Sequence, residues 1–301
     1  MTEYGHEDAA PAGRIQVRKT YKLFIGGAFP RSESGRSYEV ISAAGEFLAN
    51  AAQASRKDAR DAVLVARNGN RGWSAATAYN RGQVLYRVAE VMEGRRGQFA
   101  AEVAQGQGCT PRVADELVSR AIDRWVWYAG WADKLTQVLG NANPVAGPYF
   151  NFSVPEPTGI VAVVAPQDCS LLGLVSVVAP VIVSGNACIV MASQSRPIPA
   201  ITMSEVLATS DMPAGVVNVL TGSPAEVMPW LASHADVNAL DLAGLDGPDD
   251  EALAASLEQE AAGTVKRVRP PQHGIDWSAD PGLGAMTAFL ETKTVWHPIG
   301  T

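Results

Sequence analysis

An α/β fold built on a doubly wound parallel sheet is what the sequence predicts, and two observations carry the prediction. Short, largely apolar runs recur near 159–165, 187–191, 216–220 and 237–242, the pattern of strands buried on both faces. Stretches of helical length, near 170–183, 199–209 and 224–233, lie between them. Strands alternating with helices of this length pair in parallel, because each crossover must return the chain to the same end of the sheet.

Composition bounds the class. The 301 residues are 47% hydrophobic and 18% charged, the balance of a globular chain with a sizeable core. One large domain or two ordinary ones fit that length. A net charge of -7 argues against nucleic acid, which selects for basic stripes. Cys109, Cys169 and Cys188 are scattered and odd in number, which fits a reducing cytoplasm better than a disulfide framework. The N-terminus mixes charges and shows no apolar signal-peptide core. Residues 169–195 carry no charge, yet Pro180 and the turn Ser184-Gly185-Asn186 interrupt them. A buried strand–helix–strand unit gives the same reading, so no membrane partner is expected.

Taken in order, residues 1–20 are polar and read as a mobile tail. Leu23-Phe-Ile-Gly-Gly-Ala-Phe reads as a hairpin arm turning at Gly26-Gly27. Ser55 is an N-cap, and Val84, Leu85, Val88, Ala89 and Met92 mark one apolar helix face. A further helix carries Val113, Leu117, Ala121, Trp125, Tyr128 and Ala132, with its aromatics read as core packing. Phe150, Phe152 and Val154 alternate with Asn151 and Ser153, a strand with one greasy face. After the sheet module, Asp246-Gly-Pro-Asp-Asp-Glu starts an acidic helix. Residues 270–284, rich in Pro, Gly and Asp, read as linker. Phe289-Leu-Glu-Thr-Lys-Thr-Val-Trp296 alternates as a strand.

The chemistry-bearing residues form no recognisable constellation. Cys109 closes Gly106-Gln107-Gly108-Cys109 between two helices, where the glycines read as a helix stop. A thiolate nucleophile would need a lowered pKa and an oxyanion hole on another element. Cys169 and Cys188 lie in apolar surroundings and read as small core residues. His6, His234, His273 and His297 have no metal-ligand spacing. No nucleophile elbow and no Gly-rich phosphate loop occurs. The acids between Asp246 and Glu251 read as a solvated helix start. Neither a catalytic nor a metal-ligating set is predicted.

Several motifs in order resemble the aldehyde dehydrogenase superfamily. Leu23-Phe-Ile-Gly-Gly resembles its opening arm, and Tyr128-Ala-Gly-Trp-Ala-Asp-Lys134 with Glu156-Pro-Thr-Gly159 resembles its lead into the cofactor domain. Ser184-Gly185-Asn186 and Pro213-Ala-Gly-Val-Val-Asn218 match later landmarks. Phe289-Leu-Glu-Thr-Lys-Thr-Val295 resembles the C-terminal oligomerisation strand. The resemblance implies a Rossmann-like cofactor domain over 21–246, with an assembly hairpin at 143–157. It also implies an acidic helix and linker at 247–285 in place of the catalytic cysteine domain, and an oligomerisation strand at 286–301 that completes the hairpin. The family's general-base Glu-Leu-Gly-Gly and its Glu-Ile-Phe-Gly-Pro motif have no counterpart, and Gly106-Gln107-Gly108-Cys109 only mimics its nucleophile motif.

The same resemblance implies cofactor-facing positions at Pro166, Asp168, Met191, Gln194, Gly222, Gly244 and Leu245. Most depart from the family. Its Trp-Asn, whose amide serves the oxyanion, is here Gln167-Asp168, and an ionised aspartate only accepts. The Lys and Glu that hold the adenosine ribose become Met191, which donates nothing, and Gln194, which reaches a hydroxyl. The Gly-Ser turn before the phosphate-binding helix becomes Gly244-Leu245, followed by Asp246, Asp249, Asp250 and Glu251. NAD(P) binding is therefore expected to be weak or lost. The leading expectation is a non-catalytic subunit that forms a hetero-oligomer with a full-length, NAD(P)-dependent aldehyde dehydrogenase through 143–155 and 289–298. The alternatives are an active NAD-dependent subunit that borrows residues from a partner, and a metabolite-sensing module.

Overall fold

The structure is a computed structural model and describes residues 19–248 and 250–300. The mobile tail expected at 1–20 and His6 therefore lie outside the described residues, except for Lys19 and Thr20. The chain opens on a small sheet of β1 (Thr20–Tyr21), β2 (Ser37–Ile41) and β3 (Phe47–Ala52), ordered β1-β3-β2. Between the first two strands Ile25 and Ala28 exchange backbone hydrogen bonds of 3.0 and 3.1 Å around Gly26 and Gly27. The two glycines sit at φ 62° and 80°, left-handed values that a tight hairpin turn needs. The predicted arm is thus present.

Five helices follow: α1 (Arg56–Ala75), α2 (Ala78–Gly94), α3 (Arg96–Gln107), α4 (Pro111–Trp131) and the short α5 (Leu135–Leu139). Ser55 caps α1 in a full capping box with Asp58. Asp58 is buried and also accepts from Ser32 Oγ (2.8 Å) and Glu33 N (3.0 Å), so the cap ties the loop before β2 to the helix. Leu85, Val88, Ala89 and Met92 are buried on α2, and Trp125 and Tyr128 are wholly buried on α4. Both aromatics are core, as the sequence predicts. Gly108 ends α3 in the left-handed conformation at φ 68°, its N–H donating to Ala104 O, so the Gly-Gln-Gly-Cys stretch is a helix stop.

Then comes the main sheet: β6 (Ile160–Val164), α6 (Leu172–Val183), β7 (Ala187–Met191), α7 (Ile198–Leu207), β8 (Val217–Leu220), α8 (Pro224–Ser233) and β9 (Ala239–Asp241). Two further elements extend it, α9 (Glu251–Ala262) and β10 (Arg267–Arg269). The order is β10-β9-β6-β7-β8, all parallel. From β6 the chain winds outward through β7 and β8, then returns to the other side of β6 and winds outward again. The point of reversal lies between the C-terminal ends of β6 and β9. Every residue of α6 is buried, which accounts for the uncharged run around it. Among the described residues no helix is long and apolar enough to cross a membrane.

Period two divides the sheet between two cores. Val161, Val163, Cys188 and Val190 pack in a cluster that includes buried residues of α2, α4 and α6. Ile160, Ala162, Val164, Ile189 and Met191 pack in a cluster with buried residues of α1, α8 and α9. Two buried asparagines lock the joints. Asn218 accepts from Gly26 N at 2.9 Å and donates to Gly215 O at 2.8 Å, fixing the opening arm to β8. Asn186 accepts from Gly159 N (2.7 Å) and donates to Phe289 O (2.9 Å), joining the start of β6 to the entry of the last strand.

The third sheet is antiparallel, β11-β5-β4, from β4 (Asn141–Asn143), β5 (Tyr149–Pro157) and β11 (Leu290–Pro298). Leu290 lies opposite Pro157 and Pro298 opposite Tyr149, so the last strand completes the hairpin along its whole length. The residues before it differ from the linker the sequence suggests. Short α10 (Gly284–Thr287) carries wholly buried Met286, and Phe289 joins the same core. Arg120 and Arg124 of α4 donate to Ser278 O (3.0 Å) and Ala279 O (2.7 Å). The segment is thus strapped to the domain by guanidinium bonds to its backbone.

Candidate functional site

In an open α/β sheet the crevice beyond the strand ends at the point of reversal is where ligands sit. Here that crevice lies between the loop after β6, residues 165–168, and the loop after β9, residues 242–246. Gly244 is pressed against the first loop, since a Cβ there would stand 2.4 Å from Val164 O. Only a glycine permits that approach.

The β6 loop is braced from the next strand. Gln167 Nε2 donates to Ala165 O (2.8 Å), and its Oε1 accepts from Gln194 N (2.9 Å). Ser193 Oγ donates to Gln167 O (2.8 Å), and Arg196 Nη1 donates to Asp168 O (2.6 Å). The loops after β6 and β7 therefore form one hydrogen-bonded rim. The bracing by Gln167, Ser193 and Arg196 has no sequence signal, because local hydrogen bonds of this kind leave no motif.

The seven implied positions divide sharply. Asp168 and Gln194 are exposed at the crevice. Pro166, Gly222 and Gly244 are buried, and Gly222 adopts φ 122° with Gln53 and Ala54 against it. Met191 is wholly buried and Leu245 is 2% exposed, both in the core with α1, α8 and α9. This corrects the picture of all three changed residues at the site, because the parity of β7 turns Met191 into the core. The expected helix opening also moves. The helix begins at Glu251 rather than beside Leu245, and Asp250 at its N-cap accepts from Gly247 N at 3.0 Å. Asp249 lies outside the described residues.

The electrostatics of the crevice are acidic. Burial, and then the nearby Asp168 carboxylate, hold the Asp246 carboxyl above its usual range. His273 opposes this weakly from the segment after β10. Burial pushes the Cys169 thiol up to about 11, so it is protonated near neutrality and a poor nucleophile. Cys188 is raised by the same cause and is wholly buried. Behind the crevice, fully buried Asp241 accepts from Arg269 at 3.1 Å, and burial still raises its carboxyl. On the other side a cavity of about 440 Å³ is lined by Tyr38, Glu39, Ile41, Gln167, Gln194 and Ser195. Burial raises the pKa of the Tyr38 hydroxyl. Among the described residues no group of three or more His, Cys, Asp or Glu side chains is placed to hold a metal.

A doubly wound sheet with a crevice at its switch point, flanked by an antiparallel hairpin sheet, defines a dinucleotide-type dehydrogenase fold. The model described as the aldehyde dehydrogenase family matches residues 29–269, and the chain belongs to that family. Retinal dehydrogenase 2 of Gallus gallus is 30% identical over 266 residues, 86% of this chain and 49% of the relative. Cytosolic 10-formyltetrahydrofolate dehydrogenase of Pongo abelii is 30% identical over 236 residues, 76% of this chain and 26% of the relative. HpcC of Thermus thermophilus superposes with a TM-score of 0.78 at 26% identity, covering 84% of this chain and 48% of that one. Betaine aldehyde dehydrogenase of Staphylococcus aureus, solved in complex with NAD+, shares the fold with a TM-score of 0.77 at 22% identity, covering 82% and 48%. The chain spans about half the length, or less, of the relatives it matches.

Proposed function

We propose that this chain is a non-catalytic, cytoplasmic member of the family that assembles with a full-length, NAD(P)-dependent aldehyde dehydrogenase subunit as a hetero-oligomer. Residues 143–155 and 289–298 form the contact. The observation that carries the reading is the β11-β5-β4 sheet. Its edge strand is nine residues long, and Tyr149, Phe150, Trp296 and Ile299 are exposed on it or beside it. Tyr149 and Trp296 meet edge to face at 5.7 Å. A long open edge with clustered aromatics is a surface that a partner covers.

The crevice supports the non-catalytic half of the reading, because its residues do not fit a dinucleotide. A pyrophosphate there would face Asp168 and Asp246, each like charge costing on the order of 1 kcal/mol or more. A second reading, a metabolite-sensing module, draws on the cavity beside Tyr38 and Gln194.

The test is assembly. The chain is mixed with a full-length family enzyme encoded by the same genome and its native mass measured by light scattering. A joint complex is expected, and two separately migrating species, with this chain a monomer, would sink the proposal.

A further inference from the structure

An unexplained feature lies away from the crevice, in a groove between the first turns of α1 and the last turns of α8. Its volume is about 460 Å³, within the range of small-molecule sites. Val63 and Leu231 form an apolar floor, both 2% exposed or less, and Arg56, Arg60, Trp230 and His234 stand around it. On a chain with net charge -7 this is a local concentration of cations.

Two of the donors make no hydrogen bond or ion pair through the groups that face the groove, among the described residues. The Arg56 guanidinium lies 3.1 Å from the centroid of the Trp230 ring and makes no hydrogen bond or ion pair among the described residues. His234 Nδ1 accepts from Asp236 N at 3.1 Å, which assigns the ring proton to Nε2, and Nε2 has no partner among the described residues. Arg60 and Lys57 do have partners, Asp61 and Glu33, but both pairs are more than half exposed on the cationic side. Such pairs contribute little and yield readily to a better anion.

We infer that the α1–α8 groove is a binding site for a small planar aromatic anion, a ring bearing a phosphate, sulfonate or carboxylate. The ring stacks on the face of the Arg56 guanidinium turned away from Trp230, over the floor of Val63 and Leu231. The anionic group takes the unpaired donors of Arg56 and His234, with Arg60 in reach. Stacking fixes the plane, and charge-assisted hydrogen bonds fix the orientation.

The probe is 1-naphthyl phosphate, titrated into the full chain and read by calorimetry. Saturable binding at one site is expected, with 1-naphthol and inorganic phosphate each binding at least about tenfold more weakly. Arg56→Gln and Trp230→Leu should each weaken the phosphate ester by at least about tenfold. Both side chains are exposed on helices, so thermal melts will verify that each variant folds. Lack of saturation, equal affinity for 1-naphthol, or equal affinity of both folded variants would overturn the assignment.

Discussion

Across the mouth of the sheet, the Asp168 carboxylate adds to burial in raising the Asp246 carboxyl. They come from the loops after β9 and β6, the two strands between which the sheet reverses. Two acids therefore occupy the position where this architecture normally receives a ligand. Their mutual repulsion is a property of this chain's own residues, and it is measurable without any ligand.

Neutralising one of them should stabilise the protein. The folded-state pKa of Asp246 is raised above the unfolded value of about 3.9, so its ionised form opposes folding. Below that value the protonated form is favoured in both states and nothing is gained. Asp246→Asn should raise the melting temperature near pH 7.5, and the gain should vanish near pH 4. Asp246 is part-exposed, so screening keeps the effect under about 1 kcal/mol. Paired melts of the two proteins at both pH values check this; a gain of equal size at both would refute it.

The Asp241–Arg269 pair gives a larger effect. Asp241 is fully buried, and Arg269 stands at the end of β10 with a side chain only 17% exposed. Arg269→Leu leaves a buried carboxylate without its cation and should cost about 3–5 kcal/mol in urea unfolding at neutral pH. Burial already raises the Asp241 carboxyl, so the loss should shrink as the pH falls and the group takes up a proton. A neutral-pH loss below about 1 kcal/mol would show the pair to be dispensable.

Exposed aromatics on both faces of the β5–β11 pair make a prediction about assembly alone. Phe150→Ser and Trp296→Ser should each weaken the complex with a full-length partner by about 2 kcal/mol, near 30-fold in Kd. The isolated chain's stability should move by no more than about 0.5 kcal/mol, since both side chains are exposed. Analytical ultracentrifugation across a dilution series reads the first effect, and melts read the second.

Much of this fold was legible because its signals are local. Strands buried on both faces announce themselves as apolar runs, and Ser55, Gly26-Gly27 and Gly108 mark a cap, a turn and a stop with defined backbone geometry. Two parts were not legible. Strand β10 is Arg267-Val268-Arg269, with a single apolar residue, and it is held by pairing with β9 and by the buried Asp241 rather than by its own pattern. The segment at 270–284 reads as linker because what holds it, Arg120 and Arg124 bonding to the carbonyls of Ser278 and Ala279, has no sequence signature. Asp168 and Gln194, expected from motif position, are exposed on the loops after β6 and β7. Strand parity, readable from Ile189 to Met191, would have placed Met191 in the core.

The claim that the fold persists without its cofactor chemistry is tested most directly by calorimetric titration of the full chain with NAD+ and NADP+. Repulsion from Asp168 and Asp246 predicts a Kd weaker than about 1 mM for both. Saturable binding tighter than about 100 µM to either nucleotide would contradict it.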